Sequence, residues 1–481
     1  MSFDAVVVGS GPNGLAAAIT LARAGRSVVV LEAEPVIGGG LRSEALTLPG
    51  FLHDVCSAVH PLALTSALFH ALPLTEHGLE WIDPPLALAH PFDDRPPAIL
   101  ERSIPATCES LGRDGDAYRR LMEPLADRWR ELASDVLAPL HWPRHPLRLA
   151  RFGLAGLQSA HGLFSRRFED VAAASMLGGI SGHSMVPLDR AGTAAFALVL
   201  AAASHAVGWP IPRGGSVSIA NALASYLRTL GGEIHTGTVV RSLRELPPSR
   251  IVLLDLTPRQ VLAIAGDALP SRYRASLARF RYGPGTFKMD WALDGPVPWR
   301  WPDCGSASTV HLAGAFAELV ASEAAVWRGE HPERPLVVTA QPSRFDPSRA
   351  PAGKHTLWGY CHVPHGSDVD MTSRIEAQVE RFAPGFRDRI LARSALGPAG
   401  LEAHNANLIG GDIGGGANTL DQLFFRPTVR WRPYATPNPR LYLCSASTPP
   451  GGGVHGLCGF FAAKTAIERY DWRAQPSTML R

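Results

Sequence analysis

Lysine is almost missing from this chain: Lys288, Lys354 and Lys464 are the only three, and every other cationic side chain is an arginine. The 46 basic residues against 43 acidic ones leave a formal charge of +3, too small to point to a nucleic-acid partner. The six cysteines (56, 108, 304, 361, 444 and 458) stand apart, with no C-x-x-C and no zinc-finger spacing, which argues against a dithiol redox centre. No positively charged region or cleavage site precedes the first strand-like run, so no secretory signal is read and a cytoplasmic location is expected. Long apolar runs are scarce too. One charge-free stretch, 191–212, is interrupted by Gly192, Ser204, His205, Gly208 and Pro210, and reads as a buried helix and turn rather than a membrane span. No H-E-x-x-H, G-x-S-x-G or P-loop pattern occurs. His362 and His365 form H-x-x-H, but Pro364 intervenes and no third ligand is evident, so no metal is expected. With 46% hydrophobic and 19% charged residues over 481 positions, disorder is excluded and about three folding units are anticipated.

What is present begins at residue 3. The apolar run 3–8 reads as a buried parallel strand, followed by Gly9-Ser10-Gly11-Pro12-Asn13-Gly14 and an Ala/Leu-rich helical stretch. In strand, G-x-G-x-x-G, helix, Gly9 permits the tight turn. Gly11 lets a pyrophosphate approach the backbone, and Gly14 lets helix and strand pack closely. A second strand, 27–31, delivers Glu32, eighteen residues after Gly14, where an acceptor for a ribose 2′-hydroxyl belongs and a 2′-phosphate is repelled. FAD or NAD fits this site, and NADP does not.

The glycine cluster Gly38-Gly39-Gly40 with Arg42 and Ser43 follows directly, and then Pro49 to Pro61, including Asp54 and His60. These segments resemble the amine-oxidase superfamily of flavoproteins, and within it the phytoene-desaturase-like group that includes carotenoid oxidoreductases and the pyridine nucleotide-disulfide oxidoreductase domain-containing proteins. A closing motif, Ser445 to Gly456, follows a strand-like run and precedes a helical one. It resembles the same family's final FAD motif, with Ser445 where a glycine is common. Its helix N-terminus suits the electron-rich edge of a reduced flavin. The segment 409–427 matches the same group, so the resemblance covers nearly the whole chain. It implies FAD, held by Gly9, Gly11, Pro12, Asn13, Gly14, Glu32, Gly38, Gly39, Arg42, Val240, Ser447, Gly453 and Val454. It also implies an α/β fold: a Rossmann-like FAD-binding domain assembled from discontinuous segments, with an inserted α+β substrate domain. The expected division is 1–105, 213–265 and 426–481 for the FAD domain, 106–212 for a helical part and 266–425 for a sheet-bearing part of the substrate domain.

Between the ends, Leu121, Leu125, Trp129, Leu132 and Val136 form the stripe of an amphipathic helix. Residues 144–168 carry five arginines, no acid and eight Leu or Phe, a composition suited either to a solvated helix rim or to contact with an anionic membrane. With a single complete nucleotide unit there is no separate NAD(P)H domain. Electrons are therefore expected to leave a hydrophobic small-molecule substrate, isoprenoid or carotenoid-like, as a hydride to flavin N5 and to pass on to oxygen, a quinone or another carrier. Oxidation of a small hydrophobic amine is the alternative, and a flavin-free binding protein like the GDP-dissociation inhibitors is a second class. The resemblance places His60, Lys288 and His455 at the ring as catalytic candidates, with Trp358 and Tyr360 as a wall.

Overall fold

The computed structural model describes residues 2–470 and 472. The valine-rich strand Phe3–Val8 becomes the centre of a five-stranded, wholly parallel sheet. Across the sheet the order is Leu441–Leu443, Ser249–Leu254, Phe3–Val8, Val28–Leu31 and Glu233–His235. Val7 pairs with Leu253 on one side and Val30 on the other. The period of two sends alternate side chains to opposite faces. Ala5, Val7, Val30 and Leu253 meet one cluster with the helices Pro12–Arg23, Val217–Thr229 and Leu457–Arg469, whereas Val6, Val8, Val29 and Leu254 meet another with Pro258–Ala265 and Ser271–Ala278. A sheet covered on both faces needs no polar alternation, and its strands have almost none. The FAD-type fold is thus built from three separated stretches of chain.

A second, seven-stranded mixed sheet runs in the order Ile390–Leu396, Gly285–Leu293, His355–Val363, Val337–Ala340, Ala307–Leu312, Leu86–His90 and Ala98–Leu100. The last two strands fall before residue 105, within the expected first FAD segment, yet Leu86–His90 pairs in parallel with Ala307–Leu312. The chain therefore crosses into the second sheet before residue 105. Of the expected closing segment 426–481, residues 471 and 473–481 lie outside the described residues.

Helices pack on both faces of this second sheet, Thr372–Phe382 on one and a bundle that includes Val171–Gly182 on the other. The charge-free run forms Thr193–Val207, buried along Ala197, Leu198 and Ala201 and ended by Gly208 at φ +91°, the helix and turn that its composition predicts. The amphipathic stripe 121–136 proves to be two helices, Gly115–Ala126 and Trp129–Val136, separated where Arg128 leaves helical geometry. Leu121, Leu125, Trp129 and Leu132 remain on one buried face across the break, so periodicity alone cannot reveal it.

Candidate active site

One cavity of about 1260 Å³ joins the two sheets, larger than the ~300–1,000 Å³ of ordinary small-molecule pockets. At one end it is lined by Gly9, Gly11, Pro12, Asn13, Glu32, Gly39, Arg42 and Val240, and farther along by Ser447, Gly453 and Val454. Gly14 and Gly38, expected as cofactor contacts, lie behind this lining and shape it. A Cβ on Gly14 would overlap the Gly9 carbonyl oxygen, and Gly38 turns the chain at φ +113° with its N–H donated to the Ser10 carbonyl at 3.1 Å. Gly459 serves the closing motif in the same way, since a Cβ there would overlap the Asn13 carbonyl where the helix Leu457–Arg469 crosses Pro12–Arg23.

Glu32 is buried, and its carboxylate accepts from the Ser10 N–H at 2.8 Å and the Ser10 hydroxyl at 2.5 Å. It is held at the end of its strand, where a ribose hydroxyl would reach it. Arg42 donates to the Gly39 carbonyl at 3.1 Å and the His404 carbonyl at 2.6 Å, which fixes the glycine cluster against the neighbouring loop. The bare glycine backbone at a helix N-terminus, the buried acid and the second glycine-rich helix start together fit FAD: they can hold a pyrophosphate, a ribose and a flavin ring in sequence along the cavity.

His60, Lys288, Trp358 and Tyr360 line the same cavity. The Ser216 hydroxyl donates its single proton to the Ser57 carbonyl at 2.6 Å, so at 2.8 Å from His60 Nε2 it must accept. His60 therefore carries its proton on Nε2, and Nδ1 is a bare lone pair with no partner among the described residues. Burial, against the opposing field of Asp54, pushes this histidine down to about 4, so the ring is neutral at ordinary pH. Lys288 is buried in an ion pair with Asp290, whose other oxygen lies 3.5 Å from His53 Nδ1, and its ammonium lies 5.9 Å from the Trp358 ring centroid. Trp358 donates its indole N–H to the Cys56 carbonyl at 2.7 Å, tying the aromatic wall to the loop that carries His60.

His455 corrects the expectation that it meets the ring. It does not line the cavity: its Nδ1 accepts the Leu457 N–H at 3.0 Å and caps the closing helix, a structural task at a helix start. His362 and His365 of the H-x-x-H pattern part company as well. His362 pairs with Glu323 at 2.8 Å, whereas His365 bonds the Gly283 carbonyl at 2.8 Å.

Three features escaped the sequence reading. Asp54 pairs with the fully buried Arg349 at 2.6 Å and accepts from Ser43 at 2.6 Å and from the Ser216 N–H at 2.7 Å. Burial works to raise its carboxyl, but Arg349 and these bonds outweigh it and hold the group below the usual carboxylate range. The result anchors Ser216, and through it His60. Second, the cavity wall carries a polar strip in which Tyr360 Oη lies 3.3 Å from His183 Nδ1, and His183 Nε2 lies 3.3 Å from His311 Nε2. Third, Asp255 reaches over the glycine turn. Apart from the Ser43–Asp54 bond, their contacts join residues 128 or more apart, beyond the reach of any local pattern.

The comparisons agree with this geometry. Residues 4–265, more than half of the chain, match the family model described as DAO, FAD dependent oxidoreductase. A rat protein, pyridine nucleotide-disulfide oxidoreductase domain-containing protein 2, is 27% identical over an alignment covering 96% of this chain and 92% of its own. A phytoene dehydrogenase of Streptomyces griseus is 28% identical over 80% of this chain and 77% of its own. Among solved structures, an oxidoreductase from Methanosarcina mazei superposes with a TM-score of 0.64 at 17% identity, covering 97% of this chain and all of its own. Putrescine oxidase superposes at 0.59 and 17%, covering 97% and 99%, which extends the likeness in fold to the amine oxidases. The chain belongs to the FAD dependent oxidoreductase family, and it is an FAD-dependent oxidoreductase.

Proposed function

We propose that the protein dehydrogenates a hydrophobic substrate, isoprenoid or polyene-like, drawn into the apolar part of the cavity. The observation that carries this reading is the continuity of the nucleotide cradle with a wall of Val136, Leu149, Phe152, Phe196, Val199 and Leu200. Such a wall favours an apolar ligand through the area it removes from water. When bound, FAD supplies the two-electron acceptor. The chain's own residues position a C–H bond, exclude water and take the proton that must leave a neighbouring atom as the new double bond forms. The unpartnered lone pair of His60 Nδ1 is the acceptor for that last step: burial makes the imidazole a weak base but keeps it neutral, so the acceptor is free at ordinary pH. Lys288, fixed by Asp290, places a cation beside the aromatic wall.

The partner surface belongs to the same reading. Leu140, Leu154 and Leu157 line the cavity while exposed, and Ile413 and Phe424 do so from the other side, so the cavity opens between two apolar rims. Trp142 (88% exposed) and Leu147 stand beside the first rim, Trp431 (76%) and Val429 follow the second in sequence, and Arg144, Arg151, Arg430 and Arg432 are exposed among them. This combination suits docking on an anionic lipid surface from which an apolar substrate could enter. No helix of the described residues is long and apolar enough to cross a membrane.

The test is a screen of apolar polyenes, with small hydrophobic amines as the second arm, mixed anaerobically with the yellow holoprotein. Bleaching by a polyene supports the reading. Bleaching by amines alone would move the protein to amine oxidation, and a colourless protein that binds lipid without flavin would remove the enzymatic reading.

A further inference from the structure

Asp255 follows the strand Ser249–Leu254 and is buried. Its backbone is held on both sides, the N–H donating to the Val8 carbonyl at 2.9 Å and the carbonyl accepting from Asn407 Nδ2 at 2.8 Å. Its carboxyl hangs over the glycine turn. Oδ2 accepts the Gly14 N–H at 2.9 Å, and a Cβ built on Gly11 would lie 2.9 Å from the same oxygen. That is the helix N-terminus to which a dinucleotide brings its pyrophosphate. Glu32, the ribose acid, is the nearest charged neighbour. Cys444 and Cys458 face Asp255 from the closing segment, and no cationic side chain pairs with it among the described residues. A pyrophosphate bearing two negative charges and an ionised Asp255 would therefore share one small, uncompensated site.

We propose that Asp255 is part of the FAD pyrophosphate site and acts there as a neutral carboxyl, turning from Gly14 to donate its proton to a phosphate oxygen while the Gly14 N–H passes to the phosphate. The chemistry of the site favours this state. Burial, with the Glu32 field, outweighs the Gly14 bond and raises the Asp255 carboxyl to about 7 before any phosphate is present. The added negative charge of the phosphate raises it further, so FAD binding above that pH takes up one proton. Affinity is then constant below about pH 7 and falls as pH rises, approaching about tenfold per unit for a single linked proton.

The experiment uses apoprotein of the full chain and FAD itself, with the dissociation constant read from quenching of FAD fluorescence between pH 6 and 9. Wild type should weaken progressively above about pH 7. Asp255→Asn, which keeps a donor but cannot ionise, should bind with no such slope and more tightly than wild type at pH 9. Asp255→Ala should be equally flat but weaker than Asp255→Asn throughout. A flat wild-type profile overturns the proposal, and so does an Asp255→Asn protein that keeps the wild-type slope. A tenfold or greater loss in Asp255→Asn at pH 6 also overturns it, because the carboxylate would then be acting as an acceptor, for instance of a ribityl hydroxyl. The wild-type profile decides even if the variants fail to fold. Absence of FAD binding at every pH would remove the cofactor assignment and this proposal with it.

Discussion

A single added methyl group acts differently at Gly11, which lines the cavity, and at Gly14, whose Cα packs against the Gly9 carbonyl. Gly14→Ala would drive a Cβ into the Gly9 carbonyl, so this variant should emerge as apoprotein or misfolded chain, checked by the flavin absorbance of the purified protein. Gly11 has an unstrained φ of −64°, but a Cβ there lies 2.9 Å from Asp255 Oδ2, so its valine variant should emerge as apoprotein or insoluble chain, because the branch crowds that carboxyl and fills the phosphate approach. A yellow, stoichiometric Gly11→Val would contradict the site. Glu32→Ala should cost about 1.5–3 kcal/mol of FAD binding, a roughly ten- to hundredfold loss measured by titration. His60→Gln should keep its flavin and lose about 10²–10⁴ in the rate of anaerobic flavin reduction by substrate. The sign of its pH dependence follows from the direction of the shift. The depressed histidine is a neutral acceptor above about 4, so the wild-type rate should fall only as pH drops toward that value, and His60→Gln should lack this limb. Lys288 requires a paired variant. Lys288→Met alone strands the buried Asp290 carboxylate at about 3–5 kcal/mol, whereas adding Asp290→Asn restores stability and isolates the effect of the cation on flavin reduction.

Elements were legible in the sequence where a local pattern carries the physics. The buried strand, glycine turn and helix at 3–23, the second strand ending at Glu32, the strand before the closing motif and the charge-free helix at 193–207 all stand where spacing and burial predict them. The strand at 86–90 went to the other sheet because a pairing partner more than 200 residues away, not its own composition, decides sheet membership, and the strand at 98–100 follows as its antiparallel neighbour. His455 misled for a related reason: a histidine in a glycine-rich helix start is equally a ring contact or a cap, and only the Leu457 N–H distinguishes them. The arginine-rich segment 144–168 became two short helices, Pro146–Gly156 and Ala160–Arg167. They bury Phe152, Leu163 and Phe164 but leave Leu147, Leu154 and Leu157 exposed. Its counterpart at 424–431 was not legible, since only the fold brings Phe424 to the same cavity. If these rims dock on lipid, the protein should co-sediment with anionic vesicles and be released as salt rises, and Trp142→Ser with Leu147→Ser should weaken the binding. Equal binding to neutral vesicles, or none to either, would contradict the electrostatic mode.

At the scale of the whole molecule, both glycine motifs serve one site. The second follows an edge strand of the same parallel sheet, and its helix packs on the first. The other sheet is mixed, and its strands carry no glycine turn into a helix of the nucleotide-binding kind. The described chain therefore offers one dinucleotide cradle opening into one apolar cavity, and the proposed entry of electrons from an apolar substrate rather than from a nicotinamide rests on that arrangement. The most direct test is anaerobic mixing of the oxidised holoprotein with NADH, NADPH and the polyene panel while flavin absorbance is followed. The account predicts that both nicotinamides leave the protein yellow over the time in which an apolar substrate bleaches it. Fast, stoichiometric bleaching by either nicotinamide would contradict it and reverse the direction of the reaction.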